Sequence, residues 1–195
     1  MSVKAEIRAA ALARRLALSP AEVARRSQAL SAQLFRHFAV EEWHWLHVFL
    51  PLARRREPDT WPIIRRAWAE LPGLGLAVPV VQPDGQTLKH YALTPATPLR
   101  ASRWGIPEPA ALAATEVPAA AFDAVLVPLL AVDAAGQRVG YGAGFYDRFL
   151  AGCRPGTRFI GLNVLEEEPV AAFADVLPTD VPLAACLTPD GVQWF

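Results

Sequence analysis

The chain of 195 residues is poor in cysteine, with Cys153 and Cys186 alone. Two cysteines cannot build a disulfide framework, and their spacing fits no metal site, which points to a reducing compartment. Net charge is missing as well. Nineteen basic and nineteen acidic side chains cancel, which argues against a general nucleic-acid surface, although most arginines fall in the first 66 residues. No apolar run approaches the ~20 residues of a membrane-crossing helix, and the N-terminus is a charged amphipathic segment without an apolar signal core. No internal repeat or low-complexity linker interrupts the chain. Together these absences predict a soluble cytosolic protein with one domain over residues 1–195, no nucleic-acid partner and no membrane partner.

Apolar material is plentiful: the chain is 53% hydrophobic and 19% charged, enough for a packed interior. Residues 3–17 and 20–38 have helical periodicity, with Ser19 as N-cap and Pro20 in the first turn of the second segment, so the pair predicts a helical hairpin. Residues 45–52 read as a strand, and 61–71 as a helix with Thr60 as N-cap and Pro62 in its first turn. Further strands are expected at 76–81, 87–93, 122–132, 158–165 and 186–188, with loop character over 99–109. This alternation predicts an α/β protein: a three-layer, Rossmann-like fold whose mainly parallel central sheet carries helices on both faces, preceded by the helical hairpin.

The most informative segment runs from Gly140 to Leu150, where Gly140, Gly142 and Gly144 alternate and are followed by Phe145, Tyr146, Asp147 and Arg148. Glycines at that density let backbone N–H groups close on a bulky anion with no Cβ in the way. The spacing matches neither the dinucleotide-binding G-x-G-x-x-G, because the third glycine comes one residue early, nor the Walker loop, because no Gly-Lys-Ser/Thr follows. A strand, the turn at Asp133 to Gly136, the glycine loop and a helix opening near Tyr146 would aim a helix N-terminus at a phosphate; a plain glycine-rich turn is the structural alternative.

Residues 126–150, L-V-P-L-L-A-V-D-A-A-G-Q-R-V-G-Y-G-A-G-F-Y-D-R-F-L, resemble the signature of the 5-formyltetrahydrofolate cyclo-ligases, also called methenyltetrahydrofolate synthetases. Four other regions fit in the same order: Lys4 and Arg8 in a K-x-x-x-R of the first helix, Glu57 to Thr60 as an E-x-x-T, Trp104 to Pro109 as a W-x-I-P-x-P, and Asp180-Val181-Pro182 as a late aspartate segment. The resemblance spans essentially the whole chain. It implies an enzyme that converts 5-formyltetrahydrofolate to 5,10-methenyltetrahydrofolate with ATP as co-substrate and magnesium as cofactor, releasing ADP and phosphate.

The resemblance also implies a site. Lys4, Arg8 and Arg138 would meet the ATP phosphates, wrapped by the stretch of Val139, Gly140, Tyr141, Gly142, Ala143, Gly144, Phe145 and Tyr146. Arg138 and Tyr146 would act in catalysis. Leu50, Glu57, Trp104 and Tyr146 would bind the folate, with Glu57 on the amino-pyrimidine edge of the pterin. Asp147 and Asp180 would be the magnesium ligands. Arg54-Arg55-Arg56 could attract the anionic glutamate tail or serve as a solubility patch. Read without the family, Lys4 and Arg8 are a solvated helix face, Glu57 a solvated loop carboxylate, Asp147 a helix cap and Asp180 part of a surface turn. The chain departs from the pattern in three places. Tyr141 and Ala143 stand where some relatives carry Arg and Lys, Phe145 replaces a tyrosine, and Pro178-Thr179 precede Asp180 in place of acidic and histidine neighbours. The expected partners are small molecules, a reduced folate and ATP, acting on a monomer, with a dimer left open. His37, His44, His47 and His90 have no metal-site spacing, and His44 and His47, flanking a strand start, read as structural. Two other readings compete: a sugar-phosphate isomerase or acyl-transfer enzyme on a similar scaffold, and a folate- or nucleotide-binding module without turnover.

Overall fold

The computed structural model describes residues 3–102, 105–110, 115–165, 170 and 172–195. Two helices open the chain, α1 (Val3–Ala17) and α2 (Pro20–His37). The break between them is chemical: the Ser19 hydroxyl accepts from the Glu22 N–H at 3.1 Å, and Pro20 supplies the fixed φ of the first turn. Glu22 then pairs with Arg25 and Arg26 along the exposed face.

A seven-stranded sheet forms the body, in the order β11 (Gly191–Trp194), β10 (Ala185–Thr188), β9 (Arg158–Leu162), β6 (Ala124–Pro128), β1 (Trp45–His47), β2 (Gly75–Val81) and β3 (Leu88–Ala92). The five inner strands are parallel, and the two edge strands, β11 and β3, pair antiparallel with their neighbours. From β1 the chain builds outward in one direction through β2 and β3, then returns to β6 on the other side and continues through β9 to β11. The order therefore reverses between β1 and β6. Crevices at such a reversal, beyond the carboxyl ends of the strands, are where open α/β sheets bind ligands.

One sheet face packs under α2 and α3 (Trp61–Glu70), where Leu30, Leu34, Ile63 and Ile64 meet Leu46, Leu126, Ile160 and Leu187. The other face packs under α4 (Phe145–Ala151), where Phe149 and Leu150 meet Val125, Val127, Phe122 and Cys186. Helices on both faces of a mostly parallel sheet are the expected three layers. Because β6 is covered on both sides, Ala124 through Val127 are fully buried, which explains its unbroken apolar sequence.

Four local expectations need correction. The apolar run 122–132 is two strands: β6 stops at Pro128, which has no N–H to continue a ladder, and β7 (Ala131–Val132) turns away to pair with β8 (Arg138–Val139) as a separate ribbon. The strand expected over 45–52 is β1 alone; the Val48 N–H makes a last bond to the Ala77 carbonyl at 2.9 Å, and Phe49 and Leu50 stay buried beyond the strand. Within the loop expected over 99–109, β4 (Leu99–Ala101) and β5 (Pro107–Pro109) pair antiparallel. Thr60 stands at the start of α3 but does not cap it. Fully buried, its hydroxyl donates to the Phe49 carbonyl at 2.5 Å, and Asp59 receives the Trp61 N–H instead. Among the described residues no helix is long and apolar enough to cross a membrane.

Candidate active site

At the reversal point lies a cleft of about 1290 Å³, walled by the segment after β1, the glycine loop, the start of α4, residues 175–181 and one face of α1. Every site residue expected from the sequence lines it except Trp104, which lies outside the described residues. Six cations, Lys4, Arg8, Arg54, Arg55, Arg138 and Arg148, face five carboxylates across it.

Two arginines hold the glycine loop. Arg8 donates from Nε to the Gly140 carbonyl at 2.8 Å. Arg148 donates to the carbonyls of Ala143 at 3.1 Å and Gln86 at 2.8 Å, tying the loop to the β2–β3 turn. Gly142 has φ +90° and Gly144 φ +68°, backbone states that L side chains rarely adopt. A Cβ on Gly142 would lie in ordinary contact with the Arg8 guanidinium at 3.4 Å, so it is the backbone conformation that calls for glycine here.

Arg138, on β8, is buried with its side chain 6% exposed. Its Nη2 donates to Asp147 Oδ1 at 2.7 Å, and its Nη1 donates to the Val181 carbonyl. Burial pulls the guanidinium below its ordinary value, while Asp147 and Asp180 oppose that pull. Lys4 Nζ meets Asp180 Oδ2 at 2.5 Å, and its backbone N–H donates to Asp175 at 3.1 Å. Burial pushes the Asp180 carboxyl up, but the Lys4 hydrogen bond, the Leu177 N–H and the nearby cations together hold it below the usual range.

Asp147 is not the helix cap, since Gly144 holds that place, whereas Asp180 does close a surface turn, its N–H donating to the Leu177 carbonyl at 2.9 Å, while its side chain lines the cleft. Each is a hard oxygen donor with one oxygen tied to a cation, and the other is without a hydrogen bond among the described residues. That donor chemistry fits magnesium, which takes one or two carboxylates and completes its shell with phosphate oxygens and water. Among the described residues no cluster of three or more His, Cys, Asp or Glu side chains forms a metal site from protein alone.

Across the cleft Glu57 is 6% exposed, so it is not the solvated loop carboxylate of the plain reading. Its Oε2 accepts from the Leu52 N–H at 2.7 Å and its Oε1 from the Tyr141 hydroxyl at 2.6 Å. Leu50 is buried beside it on the same wall. The Tyr146 hydroxyl is buried with no hydrogen-bond partner among the described residues, and burial, then the nearby Glu57, pushes its ionisation far above the ordinary phenol value. A protonated, unpaired donor at a cleft wall is free to bind a ligand oxygen.

Sequence reasoning missed Arg15, which is 2% exposed and donates to the carbonyls of Arg55 and Leu129 and to the Tyr141 hydroxyl. A signal was present: Lys4, Arg8 and Arg15 follow one another at four and seven residues, on the face of α1 that also buries Ala11. Asp175, partner of the Lys4 N–H, carried no such signal.

Three comparisons bear on this cleft. Residues 1–189 match the family model described as the 5-formyltetrahydrofolate cyclo-ligase family. The 5-formyltetrahydrofolate cyclo-ligase of Escherichia coli K12 is 31% identical over 188 residues, which cover 93% of this chain and 98% of the relative; that of Haemophilus influenzae is 36% identical over 98 residues, 48% of this chain and 50% of the relative. The solution structure of Aquifex aeolicus 5,10-methenyltetrahydrofolate synthetase aligns with a TM-score of 0.76 and 25% identity over 98% of this chain and 92% of its own. A Mycoplasma pneumoniae synthetase shares the fold, with a TM-score of 0.75 at 18% identity, over 96% of this chain and 99% of its own.

Proposed function

The chain belongs to the 5-formyltetrahydrofolate cyclo-ligase family, and on that premise we propose that it spends ATP to close 5-formyltetrahydrofolate to 5,10-methenyltetrahydrofolate, releasing ADP and phosphate. The observation that carries this reading is one cleft lined by two unlike sets of residues. The glycine loop lines it together with the cations Lys4, Arg8 and Arg138, and so do Glu57, Leu50 and Tyr146, whose hydroxyl has no hydrogen-bond partner among the described residues. At about 1290 Å³ the cleft exceeds the roughly 300–1,000 Å³ of a site for one drug-sized ligand, and so suits a nucleotide beside a folate.

The chemistry needs that adjacency. A formamide oxygen is a poor leaving group, so it first attacks the γ-phosphorus of ATP, and the bond from that phosphorus to the ADP oxygen breaks. The N10 amine then attacks the activated carbon and gives up its proton, the carbon–oxygen bond breaks, and phosphate departs with the formyl oxygen. Little covalent work falls to the protein; it positions the reactants and neutralises charge. Lys4, Arg8 and Arg138 balance the triphosphate while the loop N–H groups close on it. Tyr146 donates its hydroxyl proton as a hydrogen bond to the oxygen that becomes phosphorylated. Glu57 receives the N–H groups of the pterin edge, Leu50 packs on the ring, and Trp104 is the family's stacking face. Asp147 and Asp180 would hold magnesium, which when bound screens the phosphate charge.

Labelling the formyl group with heavy oxygen tests the route. The label should appear in the inorganic phosphate released with each methenyl product. Label retained in the folate or lost to water, with product still formed, would contradict phosphorylation of the formyl oxygen.

A further inference from the structure

The glycine loop and Glu57 are joined by a side chain that the family resemblance does not explain. Tyr141 stands where some relatives carry a cation, yet it reaches away from the phosphate side of the cleft. Its hydroxyl donates to Glu57 Oε1 at 2.6 Å and accepts from the buried Arg15 guanidinium. The ring lies between two cations, with Arg15 at 5.6 Å and Arg55 at 5.5 Å from its centroid. Arg15 in turn donates to the carbonyls of Arg55 and Leu129, so the whole arrangement is fixed to the segment after β1 and to the residue after β6.

The contacts of Glu57 define what this does. A carboxylate has about four acceptor positions, two on each oxygen. The Leu52 N–H takes one on Oε2 and the Tyr141 hydroxyl takes one on Oε1, which fixes the carboxylate plane and leaves one position on each oxygen for a pair of adjacent donors. Tyr141 thus orients Glu57 without covering it. The backbone of Tyr141 belongs to the loop itself, between Gly140, whose carbonyl Arg8 holds, and Gly142 at φ +90°. The Tyr141 side chain thus connects the loop backbone directly to the carboxylate that faces the second ligand.

We propose that Tyr141 is a positioning residue that couples the two halves of the cleft: its hydroxyl sets the orientation of Glu57 for an adjacent pair of N–H donors on a flat heterocycle, and makes binding there depend on whether the glycine loop holds nucleotide. This rests on the two-ligand reading of the cleft given above. Such coupling is reciprocal, so each ligand must tighten the other by the same factor.

The test measures dissociation constants for 5-formyltetrahydrofolate and for a non-hydrolysable ATP analogue with magnesium, each alone and each in the presence of the other, in the full chain and in Tyr141→Phe. The variant keeps the ring between its two arginines and removes only the hydroxyl. Wild-type protein should show mutual tightening by about five-fold or more. In Tyr141→Phe, folate binding should weaken by about 10-fold and the coupling factor should fall to about one. A variant with a lowered melting temperature but wild-type folate affinity and wild-type coupling would make Tyr141 merely structural and overturn the proposal. Wild-type protein that forms no methenyl product from 5-formyltetrahydrofolate and ATP would instead refute the activity on which it rests.

Discussion

Arg138 and Asp147 are joined at 2.7 Å across the base of the glycine loop, the arginine arriving from β8 and the aspartate from the first turn of α4. The pair makes the loop a fixed cradle, and it keeps a buried cation beside the place proposed for the transferring phosphate. Replacing Arg138 by Met removes that cation and leaves Asp147 unpaired. We expect kcat to fall about 100- to 1000-fold, the usual loss for a group that stabilises developing charge, with the fold kept by circular dichroism. A fall smaller than about 10-fold in steady-state assays would count against a place for Arg138 at the reacting centre.

Lys4 and Asp180 make a second ion pair in the cleft, with side chains 14% and 17% exposed. Removing the cation with Lys4→Met should raise the KM for ATP about 10-fold and lower the dependence of that KM on salt. A KM for 5-formyltetrahydrofolate that moves by as much as the KM for ATP would show that α1 serves the fold and not the nucleotide.

The three loop glycines should respond differently to alanine. Gly140 has ordinary φ and open space where a Cβ would go, so Gly140→Ala is expected to leave the melting temperature within about 2 °C. Gly144 at φ +68° would bring its Cβ to 2.8 Å from Arg148 Nη1, whereas a Cβ on Gly142 at φ +90° would only touch Arg8 at 3.4 Å and is opposed by the backbone conformation. Each of these should cost about 1–2 kcal/mol for the left-handed backbone, and Gly142→Ala should in addition raise the KM for ATP. Equal effects at all three positions in thermal melts would contradict the loop geometry.

Beneath α4, His47 and His90 meet edge to face at 5.0 Å, and neither ring nitrogen of His47 has a hydrogen-bond partner among the described residues. Burial, then the neighbouring His90, holds His47 well below 6.5, and burial holds His90 near about 4 despite Glu116. Below pH 6.5 the unfolded chain binds protons that the native state refuses. Stability is therefore fully present above pH 6.5 and falls as the pH drops from there toward about 4. Urea unfolding at pH 7 and pH 5 should show this loss, and His47→Leu should shrink it. An unchanged midpoint between the two pH values would mean that the pair is solvated and charged in the native state.

Much of this architecture is written locally in the chain. Ser19 and Pro20 mark the break between α1 and α2 because a cap hydroxyl and a fixed φ act within four residues. The apolar run 122–132 declares a buried strand, but periodicity cannot register that β6 ends at Pro128 and that the rest of the run belongs to a different ribbon. The pairing of β4 with β5 was illegible because the prolines around it imitate a loop. The site follows the same division. The glycine loop, Asp147 and Glu57 each sit in a motif that can be read in place. The chain from Arg15 through Tyr141 to Glu57 joins residues 126 and 84 positions apart, and only the fold brings them together.

The most direct measurement follows the absorbance band of methenyltetrahydrofolate when purified protein is mixed with 5-formyltetrahydrofolate, with ATP and magnesium together or each left out, beside Asp147→Ala. The account predicts a rise in the wild-type protein that requires ATP and is lost or strongly reduced in the variant. Folded wild-type protein that gives no rise with ATP and magnesium present, or the same rise without ATP, would contradict it.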